Sequence, residues 1–254
     1  MKTLKLLSAA ALAAAVFLSP LAQAAPLELQ KAAALKNINV REFILKAGKK
    51  DFPTVQIKYP VFTNQAVDEK ILGFITFYSG NYLKSVNDVA KELKEDLPSG
   101  FSSWEMTGDY GLSSPSKNFV SITFEFYSYT GGAHGNIDID TVNLDLRNGK
   151  ELDLDDLFKE PATALKIMSE YSYKELKKSI KQNLVEDMLK AGTEPKKINF
   201  DNLELLPQGI RVVFSPYQVA PWSEGIQTVV IPLKVLKQAG PSAAIWPKES
   251  GKSR

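Results

Sequence analysis

The one histidine of the chain, His134, lies in the densest glycine cluster, Gly131-Gly132-Ala133-His134-Gly135-Asn136. A hydrolytic triad built on it would need an activated serine and an orienting acid. Ser128, Thr130 and Asp138 are near in sequence, but no Gly-x-Ser-x-Gly elbow or other nucleophile motif accompanies them. Zinc would need several His or Cys ligands, and the chain has one His and no Cys. Asp138, Asp140, Asn143, Asp145 and Asn148 form an oxygen-rich series without the residue order of a calcium loop. On a strand Asn143 faces away from Asp138 and Asp140, so a solvated strand face is the simpler reading. Among 29 acidic residues some pair can always be imagined as glycosidase carboxylates. The glycines suit a tight connection with positive φ, and His134 a hydrogen bond inside it. No catalytic residue, metal site or cofactor is assigned on these grounds, and residue chemistry alone does not say what the protein does.

A second candidate is Tyr217-Gln218-Val219-Ala220-Pro221-Trp222. Pro216 and Pro221 stiffen an aromatic loop between two strands, a low-entropy contact surface of the kind interfaces favour. An aromatic plug packed beneath its own loop fits the same residues equally well.

The elements that must position these loops follow from periodicity. Residues 37–47 and 55–62 alternate as strands, with Pro60 at an end or an edge. Residues 64–97 switch to helical spacing, with Ile71, Phe74, Ile75 and Tyr78 on one face, then Val86, Val89, Ala90 and Leu93 after a weak point at Ser79-Gly80. Strands are expected over 102–112, 119–129 and 137–146, the last with a parity change near Asp140-Thr141 that suggests a bulge. Asn148-Gly149 predicts a type I′ hairpin turn returning through 151–154. Asp153, Asp155 and Asp156 suit a helix N-terminus. A second long helix is expected over 163–191 with Gly192 as its C-cap, then three strands within 198–233. The fold class is α+β: antiparallel sheets against two main helical segments, in two related or fused subdomains.

Residues 1–24 read as a signal peptide: Lys2 and Lys5, a short apolar run, then Ala22-Gln23-Ala24. The apolar run is too short for a comfortable bilayer span of about 20 residues, so no membrane anchor is expected after cleavage and the location is periplasmic or secreted. Without Lys2 and Lys5 the 31 basic residues fall to 29, equal to the 29 acidic ones. Neutrality argues against nucleic-acid binding, which wants a basic footprint. The absence of cysteine leaves stabilisation to the core.

Tyr127-Ser128-Tyr129-Thr130 followed by residues 131–136 resembles the signature of an exported bacterial domain pair. This RsiV-like pair occurs in the ectodomain of lysozyme-sensing anti-sigma factors and in the N-terminal portion of PdaC-type peptidoglycan deacetylases. Asn143-Leu144-Asp145-Leu146 with Asn148-Gly149-Lys150, then Leu154-Asp155-Asp156-Leu157-Phe158, then residues 214–221 with Gly225 and Ile231-Pro232, are similar in order. The alanine-rich residues 25–36 read as a lead-in, and the tail over 241–254, sparse in core formers, as flexible; the resemblance implies an N-terminal subdomain over 37–133 and a C-terminal one over 134–240. It also implies recognition, and inhibition, of a lysozyme-like muramidase, with Gly131, Gly132, His134, Asn136, Tyr217, Pro221 and Trp222 at the contact and Asp138 and Asp140 steering a basic partner. It gives no ground for carrying over signalling or deacetylation, so the expectation is a binding module that is not an enzyme. The alternatives are a peptidoglycan-binding module in which Trp104, Tyr110, Tyr217 and Trp222 stack on sugars, and a hydrolase using His134.

Overall fold

A computed structural model of the chain describes residues 39–46, 53–93, 100–181 and 183–247. The signal peptide expected over 1–24, the lead-in at 25–36 and residues 94–97 of the first expected helix lie outside the described residues, as does the chain from 248 onward.

Strands β1 (Asn39–Lys46), β2 (Thr54–Val61), β3 (Glu105–Ser116), β4 (Phe119–Tyr129) and β5 (Asn136–Asp145) form one sheet in that order. All neighbours are antiparallel except β2 and β3, which run parallel. A parallel pair needs a crossover, supplied here by α1 (Gln65–Leu93). Val67, Ile71, Ile75, Ser79, Tyr82 and Val86 recur at helical spacing and are buried against the sheet. Phe74 stacks on Phe124 at 5.2 Å and Tyr78 on Phe126 at 4.2 Å. The weak point expected at Ser79-Gly80 does not interrupt α1, because the Ser79 hydroxyl turns back to donate to the Ile75 carbonyl (2.8 Å).

A smaller antiparallel sheet holds β6 (Leu203–Leu206), β7 (Gly209–Phe214) and β8 (Gln227–Pro232) in sequence order. It shares a core with α2 (Leu154–Leu157), α3 (Pro161–Ser179) and α4 (Glu186–Thr193), centred on Leu157, Met168, Leu176, Leu205, Phe214 and Ile231. Asp153 caps α2, accepting from the Asp155 and Asp156 amides while Asp156 reaches back to the Asp153 amide. The chain is an α+β protein with two mostly antiparallel sheets.

The two sheets meet at a polar seam. Alternate residues of β4 serve different cores. Val120, Ile122, Phe124 and Phe126 face α1, whereas Ser121 and Thr123 face β6. β6 is an edge strand, and its outward backbone groups need partners once buried. Ser121 Oγ accepts from the Leu205 amide (2.7 Å) and Asn143 Nδ2 donates to the Leu203 carbonyl (3.0 Å). Ser121 Oγ also donates to Asn143 Oδ1 (2.5 Å). Thr123 Oγ1 donates to Glu204 (2.8 Å), whose other oxygen meets Arg211 at 2.6 Å.

Several expectations are corrected. The parity change in β5 is no bulge: its register with β4 runs unbroken from Phe119↔Asp145 to Ser128↔Asn136, and both faces of β5 are covered. Asn143 and Thr141 are buried rather than part of a solvated face. At the Asn148-Gly149 turn only Gly149 has positive φ (70°), so it is not type I′, and the return strand shrinks to one bridge between Glu151 and Leu144. The second long helix is two helices, and Gly192 lies inside α4, where a Cβ would come within 2.0 Å of the Gln218 carbonyl oxygen. The tail expected to be flexible is packed over 241–247: Ile245 and Trp246 are buried, and the Trp246 indole donates to the Leu206 carbonyl (2.9 Å).

Candidate functional site: an aromatic cluster across two loops

The loop over residues 130–135 joins β4 to β5, and its path is set by two close approaches. Gly131 (φ 86°) lies against the Trp104 indole, which a Cβ would meet at 3.2 Å. Gly135 lies on the Tyr127 ring, where a Cβ would fall 2.3 Å from a ring carbon. At Gly131 the left-handed backbone strains any larger residue, and at Gly135 a side chain would require the Tyr127 ring to move. Gly132 (φ 105°) is exposed, and its carbonyl accepts from the Tyr129 hydroxyl (3.2 Å). Asn136 donates to Asp138 (3.2 Å).

The loop over 215–226 joins β7 to β8. Gln218 staples it inward, its Nε2 donating to the carbonyls of Asn199 (3.0 Å) and Gly192 (3.3 Å) while its Oε1 accepts from the Ser215 amide (3.2 Å). Val219 and Ala220 are buried. The aliphatic residues of the segment are thus packed beneath the loop, whereas the Tyr217 ring is exposed and Trp222 is half-buried. Pro221 precedes a single 3-10 turn, Trp222–Glu224. Tyr217 has φ 68° and is 54% exposed. A left-handed backbone at a bulky residue costs of order 1–3 kcal/mol and is worth relating to function.

The two loops converge. The His134 ring stacks on Trp222 with centroids 4.9 Å apart and planes at 18°, and Tyr217 leans on Trp222 at 5.7 Å. His134 Nδ1 lies 2.8 Å from the Gly135 carbonyl oxygen, which makes it the donor and fixes the ring. Among the described residues no hydrogen bond joins His134 to Ser128, Thr130 or Asp138. Of the sequence candidates, His134, Tyr217 and Trp222 thus form one cluster. Gly131, Gly132 and Pro221 shape its loops, and Asn136 opens β5 beside it. Trp104 and Tyr110 do not belong to it: both are buried in the α1 core and cannot stack on a ligand.

Asp140 is not a free steering charge, since it accepts from the Tyr78 hydroxyl at 2.6 Å. Burial pushes its carboxyl up, against the hydrogen bonds from Tyr78 and the Thr141 amide. Desolvation by its surroundings also raises Asp138, although its side chain reaches the surface, and burial raises the Tyr78 hydroxyl with help from the Asp140 charge. Asp140 lines a cleft of ≈ 320 Å³ with Glu151, Asp153, Lys197 and Asp201. Sequence reading missed this grouping because the partners come from distant loops with no shared motif. Among the described residues no set of three or more His, Cys, Asp or Glu side chains is disposed to hold a metal ion. No described helix is long and apolar enough to cross a membrane.

Residues 46–137 match the family model "Deacetylase PdaC" and residues 155–234 that of a "Protein of unknown function (DUF3298)". The chain is 35% identical over 181 residues to the peptidoglycan-N-acetylmuramic acid deacetylase PdaC of Bacillus subtilis (strain 168), an alignment covering 71% of this chain and 38% of that protein. Two solved structures share the fold. A DUF3298 family protein from Pseudomonas aeruginosa PAO1 has a TM-score of 0.54 at 18% identity, over 85% of this chain and 99% of that one. A DUF3298 member from Bacteroides fragilis NCTC 9343 gives 0.53 at 17% identity, over 82% and 95%. The expectation that the chain is not an enzyme is corrected by the PdaC relative, which is named as one. That expectation rested on missing motifs, and a missing motif does not exclude an activity. The chain thus carries, in order, a region similar to the PdaC family model and a region similar to the DUF3298 family model.

Proposed function

We propose that the chain is an exported cell-envelope module that contacts peptidoglycan glycan strands through Tyr217, Trp222 and His134. The observation that carries this reading is the convergence of His134 and Tyr217 on Trp222, with Tyr217 held outward by a strained backbone. An aromatic ring offers a flat apolar face with a polar edge, suited to the C–H face of a pyranose and its flanking hydroxyls. The name of the PdaC relative, a peptidoglycan deacetylase, supports the same ligand class. Export is part of the proposal and rests on residues 1–24.

A second reading uses the same surface against a lysozyme-like muramidase. It is favoured by exposed Asp138 next to the loop, since an acid there would speed encounter with a basic partner. Co-sedimentation of the purified chain with purified peptidoglycan tests the first reading. Saturable binding is expected, weakened about tenfold by Trp222→Ala or by Tyr217→Asn, as for a central aromatic contact. Asn tolerates the left-handed backbone, so the second variant removes the ring and keeps the loop. Binding to immobilised c-type lysozyme without sedimentation would transfer the site to the second reading. Failure of both would end the assignment of this cluster as a contact.

A further inference from the structure

The outer face of α1 is built in a way the folded monomer does not explain. Phe77 stands at its centre, 63% exposed. Gly73 and Gly80 flank Phe77 along the exposed face, and a Cβ at either would meet nothing within 4 Å. Glycine inside a helix weakens it relative to alanine, and among the described residues no neighbour calls for one. Charge follows the same centre. Glu69 and Lys84 are exposed and equidistant from the midpoint between Thr76 and Phe77, as are Gly73 and Gly80.

We propose that this face is a homodimer interface in which two copies of α1 pack antiparallel about a twofold axis between Thr76 and Phe77. Residues equidistant from that midpoint then face each other across the axis. Phe77 of each copy enters the hole left by Gly73, Thr76 and Gly80 of the other, a knob in a hole whose small residues let the backbones approach. Glu69 of one copy meets Lys84 of the other at both ends, twice per dimer. Glu69 accepts a hydrogen bond from Gln65 (2.8 Å) within its own helix, which leaves its second oxygen for the lysine. A second copy suits this surface because the face is complementary to itself under a twofold, as an isologous contact requires. With one helix from each copy the contact falls in the small, weak class, so the dimer is concentration-dependent. The α1 face of the large sheet is opposite the face that meets β6. Dimerisation therefore leaves both aromatic clusters open, and a polymeric ligand would be held at two points.

Sedimentation velocity on the purified chain over about two decades of concentration should show a monomer–dimer equilibrium. Phe77→Ser should abolish the dimer with the helical circular dichroism retained. Gly73→Ala with Gly80→Ala should raise the melting temperature of the dilute monomer by about 2–4 °C or more and still weaken the dimer, opposite effects that a purely local role does not give. Glu69→Lys or Lys84→Glu alone should weaken the dimer about tenfold, since each removes two ion pairs and creates like-charge contacts. The two together should restore it. A chain that stays monomeric, a dimer that survives Phe77→Ser, or a double reversal no better than the single ones overturns the proposal.

Discussion

Asp140 shows how one buried acid ties helix and sheet together at a cost. Its carboxylate holds the Tyr78 hydroxyl of α1, yet burial lifts its pKa above the ordinary value. A carboxyl raised on folding makes the native state bind protons more readily than the unfolded one. Its charged form therefore detracts from stability above the folded pKa, and that loss is relieved as pH falls through the folded value toward the ordinary one. Asp145 works the other way. The hydrogen bond from Arg147 holds it low, so its contribution is present above the unfolded pKa and lost on acidification. Asp140→Asn keeps an acceptor for Tyr78 and removes the charge. It should raise the urea midpoint at neutral pH, with the gain shrinking toward about pH 4, the ordinary carboxylate range. A variant less stable than the parent at neutral pH would show that the charged hydrogen bond outweighs burial. Little of this was legible beforehand, because acids on a strand look solvated until a tyrosine from a helix is placed over them. His134, Tyr217 and Trp222 were legible as candidates from residue type and flanking glycine or proline. Trp104 and Tyr110 misled, since an aromatic on an irregular strand carries no signal of which face it takes. The pairing of His134 with Trp222 was not legible either, because it joins loops from different sheets.

At the scale of elements, the seam at β6 decides how the sheets join. The Leu205 amide is satisfied by Ser121, which is fully buried. Ser121→Ala leaves that amide without its acceptor in the interior and should cost about 1–3 kcal/mol in urea unfolding. Ser114→Ala provides the comparison: its hydroxyl is also buried, but it serves carbonyls at the β3–β4 turn, away from the seam. If Ser121→Ala unfolds like the parent, the seam is dispensable and packing alone joins the sheets. The helix stripes of α1 and α3 could be read from the sequence because burial there follows 3.6-residue spacing. The break between α3 and α4 could not, since residues 180–185 hold neither proline nor glycine, and neither could the place of Gly192 inside α4, where the Gln218 carbonyl reaches it only in the fold. The parallel pairing of β2 and β3 went unread for a similar reason. Two strands around a long helix are compatible with either direction until the crossover is seen to lie on one face.

For the whole molecule, the issue is whether two hydrophobic cores unfold as one. Val120, Ile122 and Phe124 belong to the core under α1, and Phe119 on the same strand to the core under β6 to β8. Opening either half would give up the seam hydrogen bonds of Ser121, Asn143 and Glu204, each worth about 0.5–1.5 kcal/mol net, together with the apolar packing around them. That coupling favours a single transition. The three tryptophans provide the test, since Trp104 is buried in the first core, Trp246 in the second, and Trp222 sits at the surface cluster. Trp222→Phe with Trp246→Phe leaves a reporter for the first core alone, and Trp222→Phe with Trp104→Phe one for the second. Each pair should give a fluorescence midpoint in urea that coincides with its own far-UV circular dichroism midpoint. Midpoints that separate within either pair would mean that the seam holds the halves in register without coupling their stability. In that case Ser121→Ala should shift only the transition of the half that opens first.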